Sequence, residues 1–253
     1  MRPSSSPAVQ RLLDASRIPA PEIVGPEALQ RLPEPVRRYL SVAKVVGKRI
    51  PRTVHLKQSG TFRTTPEQQW ISMEAEEWHS TSPSGFVWQA TIRPKPLIRI
   101  SVTDAFVDGH GFLEARAQSL IPMAKFSGAE TDSGELVRYL LEISWFPQYW
   151  ASPLVTWQPV DERTSAVSIE AGDIHASAQI TFGDDGLPER ATTQRYRIIG
   201  KRSEMTPYLG RLHDYREVEG VLVPFQFSAA WLLPKGEFEY IRGTISDLTY
   251  SYS

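Results

Sequence analysis

The chain has 253 residues, with Lys plus Arg totalling 28 against 29 Asp plus Glu and a formal net charge of −1. That balance supplies no basic field to hold a phosphate backbone, so no nucleic acid partner is expected. The complete absence of cysteine excludes disulfides, thiolate nucleophiles and cysteine-ligated zinc, and the length suits one large β-rich domain.

Residues 1–33 are rich in Pro and Ser and read as an arm lying on the body, with a short helix over Val9 to Arg17. No apolar run in this part has the length of a signal peptide or membrane span, so the expectation is a cytoplasmic protein without a transmembrane segment. Helical periodicity begins at Pro35 to Val45, where Val36, Tyr39, Leu40 and Ala43 share one face behind a first-turn proline.

From Val54 onward the period changes to two. Strands are expected at Val54 to Phe62, Gln69 to Ser80, Gly85 to Arg93, Leu97 to Phe106 and Gly111 to Leu120. A second series covers Val155 to Val160, Ala166 to Ala171, Ile174 to Phe182, Glu189 to Ile199, Leu212 to Val218, Val221 to Leu233 and Phe238 to Tyr250. Their separators include Asp184-Asp185-Gly186, Glu219-Gly220 and Lys235-Gly236, which favour hairpins and an antiparallel meander. A sheet of about a dozen strands curls or closes rather than stay flat.

One helical insertion, near residues 132–150, breaks the meander. Ser133 is placed to cap it, Leu136, Tyr139, Leu140 and Ile143 form its apolar stripe, and Pro147 ends it. The expected fold is therefore mainly β with a few helices: a strongly curved antiparallel sheet or open half-barrel, one domain over residues 34–253, with helices covering the concave face.

Within the fourth expected strand, Ile98, Ile100, Val102 and Phe106 share an apolar face with Asp104. A carboxylate there needs a cation or donors, and Arg99, Arg138 or a tyrosine hydroxyl are the candidates. The following VDGHGFLE reads as a tight hairpin, with Asp108 bonding its own backbone and His110 at the tip. Because His55, His79, His110, His175 and His213 are scattered singly with no i, i+4 pair, no metal and no cofactor are expected.

Glu135, Arg138, Tyr139 and Glu142 have helical spacing and read as a solvated ion-pair face. Arg195 and Arg197 share a strand face that suits either an anionic head group or a polar outer surface. No nucleophile elbow, phosphate-binding loop, dinucleotide fingerprint or EF-hand spacing occurs. What stands out is aromatic: seven tryptophans, several of them near the inserted helix.

The segments LPEPVRRYL, SGTFR, SGFVWQATI, VTDAFVDGHGFLEA, GELVRYLLEISWFP, FGDDGLPERATTQRYR, LHDYREVEGVLVPFQFSAAWLLPKGEFEY and ISDLTY resemble an uncharacterised bacterial domain family, in order from Leu32 to Tyr250. Its strand-rich plan also resembles the half-barrel of lipoprotein carriers and lipoprotein-sorting proteins, which hold acyl chains under a helical lid. The secretion signal of such carriers is not seen in this sequence, so the resemblance implies an apolar pocket rather than lipoprotein transport itself.

The reading that follows is a binding module for a hydrophobic or lipid-like small molecule. Trp88, Phe106, Tyr139, Trp145 and Trp231 are its expected walls, and Asp104 with Arg99 or Arg138 its polar anchor, between the helix at Pro35–Val45 and the inserted helix. The alternative is a hydrolase or isomerase on such a ligand with Asp104 as acid or base. An uncovered sheet edge also leaves homo-oligomerisation open.

Overall fold

The computed structural model describes residues 6–16, 22–200 and 202–252. In chain order, α1 (Pro7–Ala15), α2 (Pro26–Gln30) and α3 (Glu34–Val42) precede six strands, β1 (Thr53–Phe62), β2 (Ile71–Thr81), β3 (Ser84–Lys95), β4 (Ile98–Val107), β5 (His110–Ala117) and β6 (Ile121–Ser127). Helix α4 (Ala129–Glu142) and two short 3-10 turns (Ile143–Trp145 and Pro147–Ala151) follow. Seven strands complete the chain: β7 (Thr156–Pro159), β8 (Thr164–Ala171), β9 (Ile174–Phe182), β10 (Pro188–Ile199), β11 (Arg202–Val218), β12 (Val221–Leu233) and β13 (Gly236–Ser251).

All thirteen strands form one antiparallel sheet, ordered β6-β5-β4-β3-β2-β1-β13-β12-β11-β10-β9-β8-β7, which curls into a half-barrel. Every neighbour is joined by a hairpin except β1 with β13, which bring the two ends of the meander together at the centre. The outer strands β6 and β7 are consecutive in the chain yet lie at opposite edges. Their connection therefore has to cross the sheet, and α4 with its 3-10 turns is that connection. Fourteen helical residues span roughly 21 Å at 1.5 Å each, and α4 packs on β5 at one side and β9 at the other. The lid is built into the topology rather than appended to it.

The N-terminal elements serve both faces. Val9 and Leu12 of α1 bury against Trp78, Val87, Ala105 and Val107 on the outer face, while Arg17, at the end of the expected first helix, lies outside the described residues. Helix α3 places Tyr39 against Trp150, Phe182 and Tyr215, filling one end of the hollow with rings. No helix among the described residues is long and apolar enough to cross a membrane.

Several local expectations differ from the structure. Ser133 does not cap the inserted helix, which begins a turn earlier behind Gly128. Pro147 opens a 3-10 turn instead of ending the helix, its ring occupying a first-turn position that needs no amide proton. Strand β6 and the first half of β11 are additional, as is α2.

The VDGHGFLE segment is a two-residue hairpin with Asp108 and Gly109 both at positive φ. Asp108 pairs with Arg11 rather than with its own backbone. The following Gly111 donates its amide to Asp132 Oδ1 at 2.7 Å, and a Cβ on it would fall 2.6 Å from the Thr131 carbonyl oxygen. The glycine lets the first turn of α4 lie directly on β5. Gly111→Ala is expected to lift that turn at a cost of about 1–3 kcal/mol, read as a lowered urea midpoint with unchanged slope.

Candidate functional site

Register places the polar residues of the concave face. Glu77 of β2 faces Trp88 of β3, Trp88 faces Asp104 of β4, and Asp104 faces Leu113 of β5. In the next row lie His79, Phe86, Phe106 and Gly111. Strands are about 4.8 Å apart, so two carboxylates in one row, two strands apart, leave a gap of roughly 10 Å that a guanidinium from above can bridge.

Arg138 of α4 is that guanidinium. Its Nη1 donates to Asp104 Oδ2 at 2.7 Å, its Nη2 to Glu77 Oε1 at 2.9 Å and its Nε to Glu142 Oε1 at 2.7 Å. The plane also lies over the rings of Phe86 and Trp88, 4.7 and 5.0 Å from their centroids. Gln58 extends the network, donating to Glu77 Oε2 at 2.7 Å and accepting from Trp88 Nε1 at 3.0 Å. From the other half of the sheet, Arg195 of β10 donates to the Gly134 carbonyl at 3.0 Å and to both oxygens of Glu135 at 3.2 Å. The expected solvated ion-pair face is thus a correction: the side chains of Arg138, Glu142 and Glu135 are only 15, 14 and 8% exposed, because the crossing helix presses them into the sheet.

Four carboxylates meet two guanidiniums here, so burial works against full ionisation. Burial, followed by Asp104, pushes Glu135 up to about 8 against the opposing pull of Arg195. Glu77 is raised well above the usual carboxylate range by burial and by Glu142, and Glu142 itself is raised by burial. Although burial disfavours its charge, Arg138 is held ionised by Glu142, Glu77 and Asp104. His79 is fully buried and, through burial and then Arg138, is kept neutral.

Beside this polar floor lies a cavity of about 580 Å³. Its walls are apolar, including Phe62, Ile92, Val102, Trp145, Phe227 and Trp231, and its floor carries Gln58, Asp104, Glu135, Arg138, Glu142 and Arg195. Arg63 and Arg197 line it as well. Three polar atoms on lining residues are buried without hydrogen-bond partners, Asp104 Oδ1, Glu142 Oε2 and Trp145 Nε1.

Of the residues expected in the site, Trp88, Asp104, Arg138, Trp145 and Trp231 line this cavity. Phe106 and Tyr139 do not: Phe106 is fully buried in the core, and the Tyr139 hydroxyl donates to the Ser80 carbonyl at 2.8 Å. Arg99 is exposed, because strand alternation turns it to the face opposite Asp104, leaving Arg138 as the partner. The hollow between α3 and α4 is also a correction, since Tyr39, Phe146, Tyr149 and Trp150 fill that end and the space lies on the far side of α4. Sequence reading missed Glu77, His79 and Gln58. Glu77 and His79 follow Met73 and Ala75 on one apolar strand face, the same signal that singled out Asp104.

No curated protein matches the chain. Among solved structures it is similar to a domain described as belonging to an outer membrane lipoprotein-sorting protein from Vibrio parahaemolyticus, at 6% identity and TM-score 0.46 over 78% of this chain and 85% of that one. It is also similar to a DUF1329 family protein from Desulfovibrio piger, at 10% identity and TM-score 0.44 over 90% and 94% of the two chains. A LolA superfamily protein from Nitrosomonas europaea is similar at 9% identity and TM-score 0.40 over 79% and 86%. The matching family model covers residues 30–250, and the chain belongs to that family of unknown function, DUF6920.

Proposed function

We propose that the protein binds a hydrophobic or amphiphilic small molecule under α4, with its polar end on the Asp104–Arg138 floor. The observation that carries this reading is the cavity of about 580 Å³ with apolar walls and a charged floor, a size within the roughly 300–1,000 Å³ of small-molecule sites. Such a hollow persists although seven tryptophans are available to fill it, and the other end of the same concavity is packed solid with rings. Asp104 Oδ1 and Trp145 Nε1 are unpartnered atoms of lining residues, and a small side-chain rotation would present them as an acceptor and a donor to a ligand hydroxyl or amide.

A fluorescent polyene fatty acid provides the test. The wild-type protein is expected to bind it saturably. Ala229→Trp, which projects an indole from the cavity wall, is expected to weaken binding at least ~10-fold, equivalent to about 1.4 kcal/mol, with an unchanged circular dichroism spectrum. Uptake that is absent, or equal in the two proteins, would overturn the reading.

A further inference from the structure

Behind the cavity floor, three potential ligand atoms converge. His79 Nε2 lies 3.9 Å from Glu77 Oε2 and 4.0 Å from Glu142 Oε2, and all three lie within 4.8 Å of one another. We propose that Glu77, His79 and Glu142 form a binding site for one divalent transition-metal ion of the zinc or manganese class. The site is separate from the apolar cavity's ligand and does not depend on that reading.

The geometry divides the carboxylate oxygens in two. Each glutamate gives Oε1 to Arg138 and turns Oε2 toward the imidazole, Glu77 Oε2 also accepting from Gln58, so an ion can be held on the remaining lone pairs without displacing the guanidinium. Three donors roughly 2.0–2.2 Å from one tetrahedral ion stand about 3.3–3.6 Å apart, so binding requires rotamer changes that draw the three side chains together by about half an ångström or more.

The second observation is the histidine itself. Its side chain is completely buried, yet neither ring nitrogen has a hydrogen-bond partner, and Glu142 Oε2 is likewise unpartnered. A buried polar ring without partners is costly. Phe86, Trp145 and Phe146, with ring centroids 5.3–6.0 Å away, fix its orientation toward the two carboxylates.

Charge points the same way. The carboxyl groups of Asp104, Glu77, Glu135 and Glu142 outnumber the guanidiniums of Arg138 and Arg195 in the cluster, an excess of oxygen ligands that favours a cation. One imidazole and two carboxylates suit zinc or manganese better than a softer ion that would demand sulfur. Glu142 lines the cavity, which gives the ion a path in.

The test is calorimetric titration of the intact, chelator-treated protein with Zn²⁺ and with Mn²⁺, alongside His79→Ala, Glu142→Gln and the exposed control His213→Ala. Wild type and His213→Ala are expected to bind one ion per chain and to melt at higher temperature when loaded. His79→Ala and Glu142→Gln are expected to lose at least about 100-fold in affinity. Should His79→Ala fail to fold, the more accessible Glu142→Gln decides, together with the visible absorption of the Co²⁺-loaded wild type, which is expected to show the intense bands of a low-coordinate nitrogen–oxygen site. Absence of one-to-one binding to the wild type, or binding unchanged in Glu142→Gln, would overturn the assignment.

Discussion

Arg138→Met is expected to destabilise the fold by about 3–5 kcal/mol, the range for stranding a buried charge by removing its partner. Methionine preserves much of the aliphatic stem that crosses Phe86 and Trp88, so the loss reports on charge more than on packing. Three carboxylates depend on this guanidinium, and the side chains of Glu77, Asp104 and Glu142 are 0, 8 and 14% exposed. Arg93→Met, at an exposed pair with Glu74, is expected to change stability little. In urea unfolding the Arg138 defect should shrink as pH falls from 8 to 5, because the stranded carboxyls can then take up protons. A defect independent of pH would mean that the arginine acts through packing alone.

Stability of the wild-type protein is expected to fall as pH rises from about 5 to 8. Glu135 has an ordinary value of 4.5 and is pushed up to about 8 in the folded protein, so between these values the folded state binds the extra proton. Its contribution is complete below about pH 4.5 and is lost progressively until the folded carboxyl ionises near pH 8. One such proton gives a slope of about 1.4 kcal/mol per pH unit, and Glu77 and Glu142, raised in the same direction, steepen it. Half-buried Glu114 and exposed Glu237, lowered by their pairing with Lys125 and Arg211, act oppositely but weakly.

Glu135→Gln keeps an acceptor for Arg195 without the ionisable group. It should therefore flatten the profile and exceed wild-type stability at pH 8. Melting temperatures across pH 5–9 for both proteins test this, and superimposable curves would contradict it.

Much of the fold was legible because its punctuation is local. Glu219-Gly220 and Asp108-Gly109 are turn pairs at positive φ, and the flanking alternation fixes which side chains meet. Strand β6 was not legible: as an edge strand carrying Pro122 with Ile121 and Met123 exposed, it has no buried face to impose a period. The first half of β11 hides for a related reason, its Arg202, Glu204 and Met205 being exposed.

The site was half legible. Asp104 declared itself as a carboxylate on an apolar face, and the same logic extended to β2 would have found Glu77 and His79. The burial of Arg138 and Glu142 was not readable from spacing alone. It arises because α4 joins opposite edges of the sheet, a property of strand order that no local window contains. Arg99 failed for the opposite reason: five residues before Asp104 on the same strand, an odd offset, it was bound to point away.

The most direct test is native mass spectrometry of the isolated 28.5 kDa chain before and after exposure to long-chain acids, alcohols and amines. An occupied hollow predicts a one-to-one adduct in the wild type that Ala229→Trp does not carry, released when α4 is unfolded by organic solvent. A protein that appears only at its own mass, and stays there after every amphiphile, would contradict a binding cavity beneath the crossing helix.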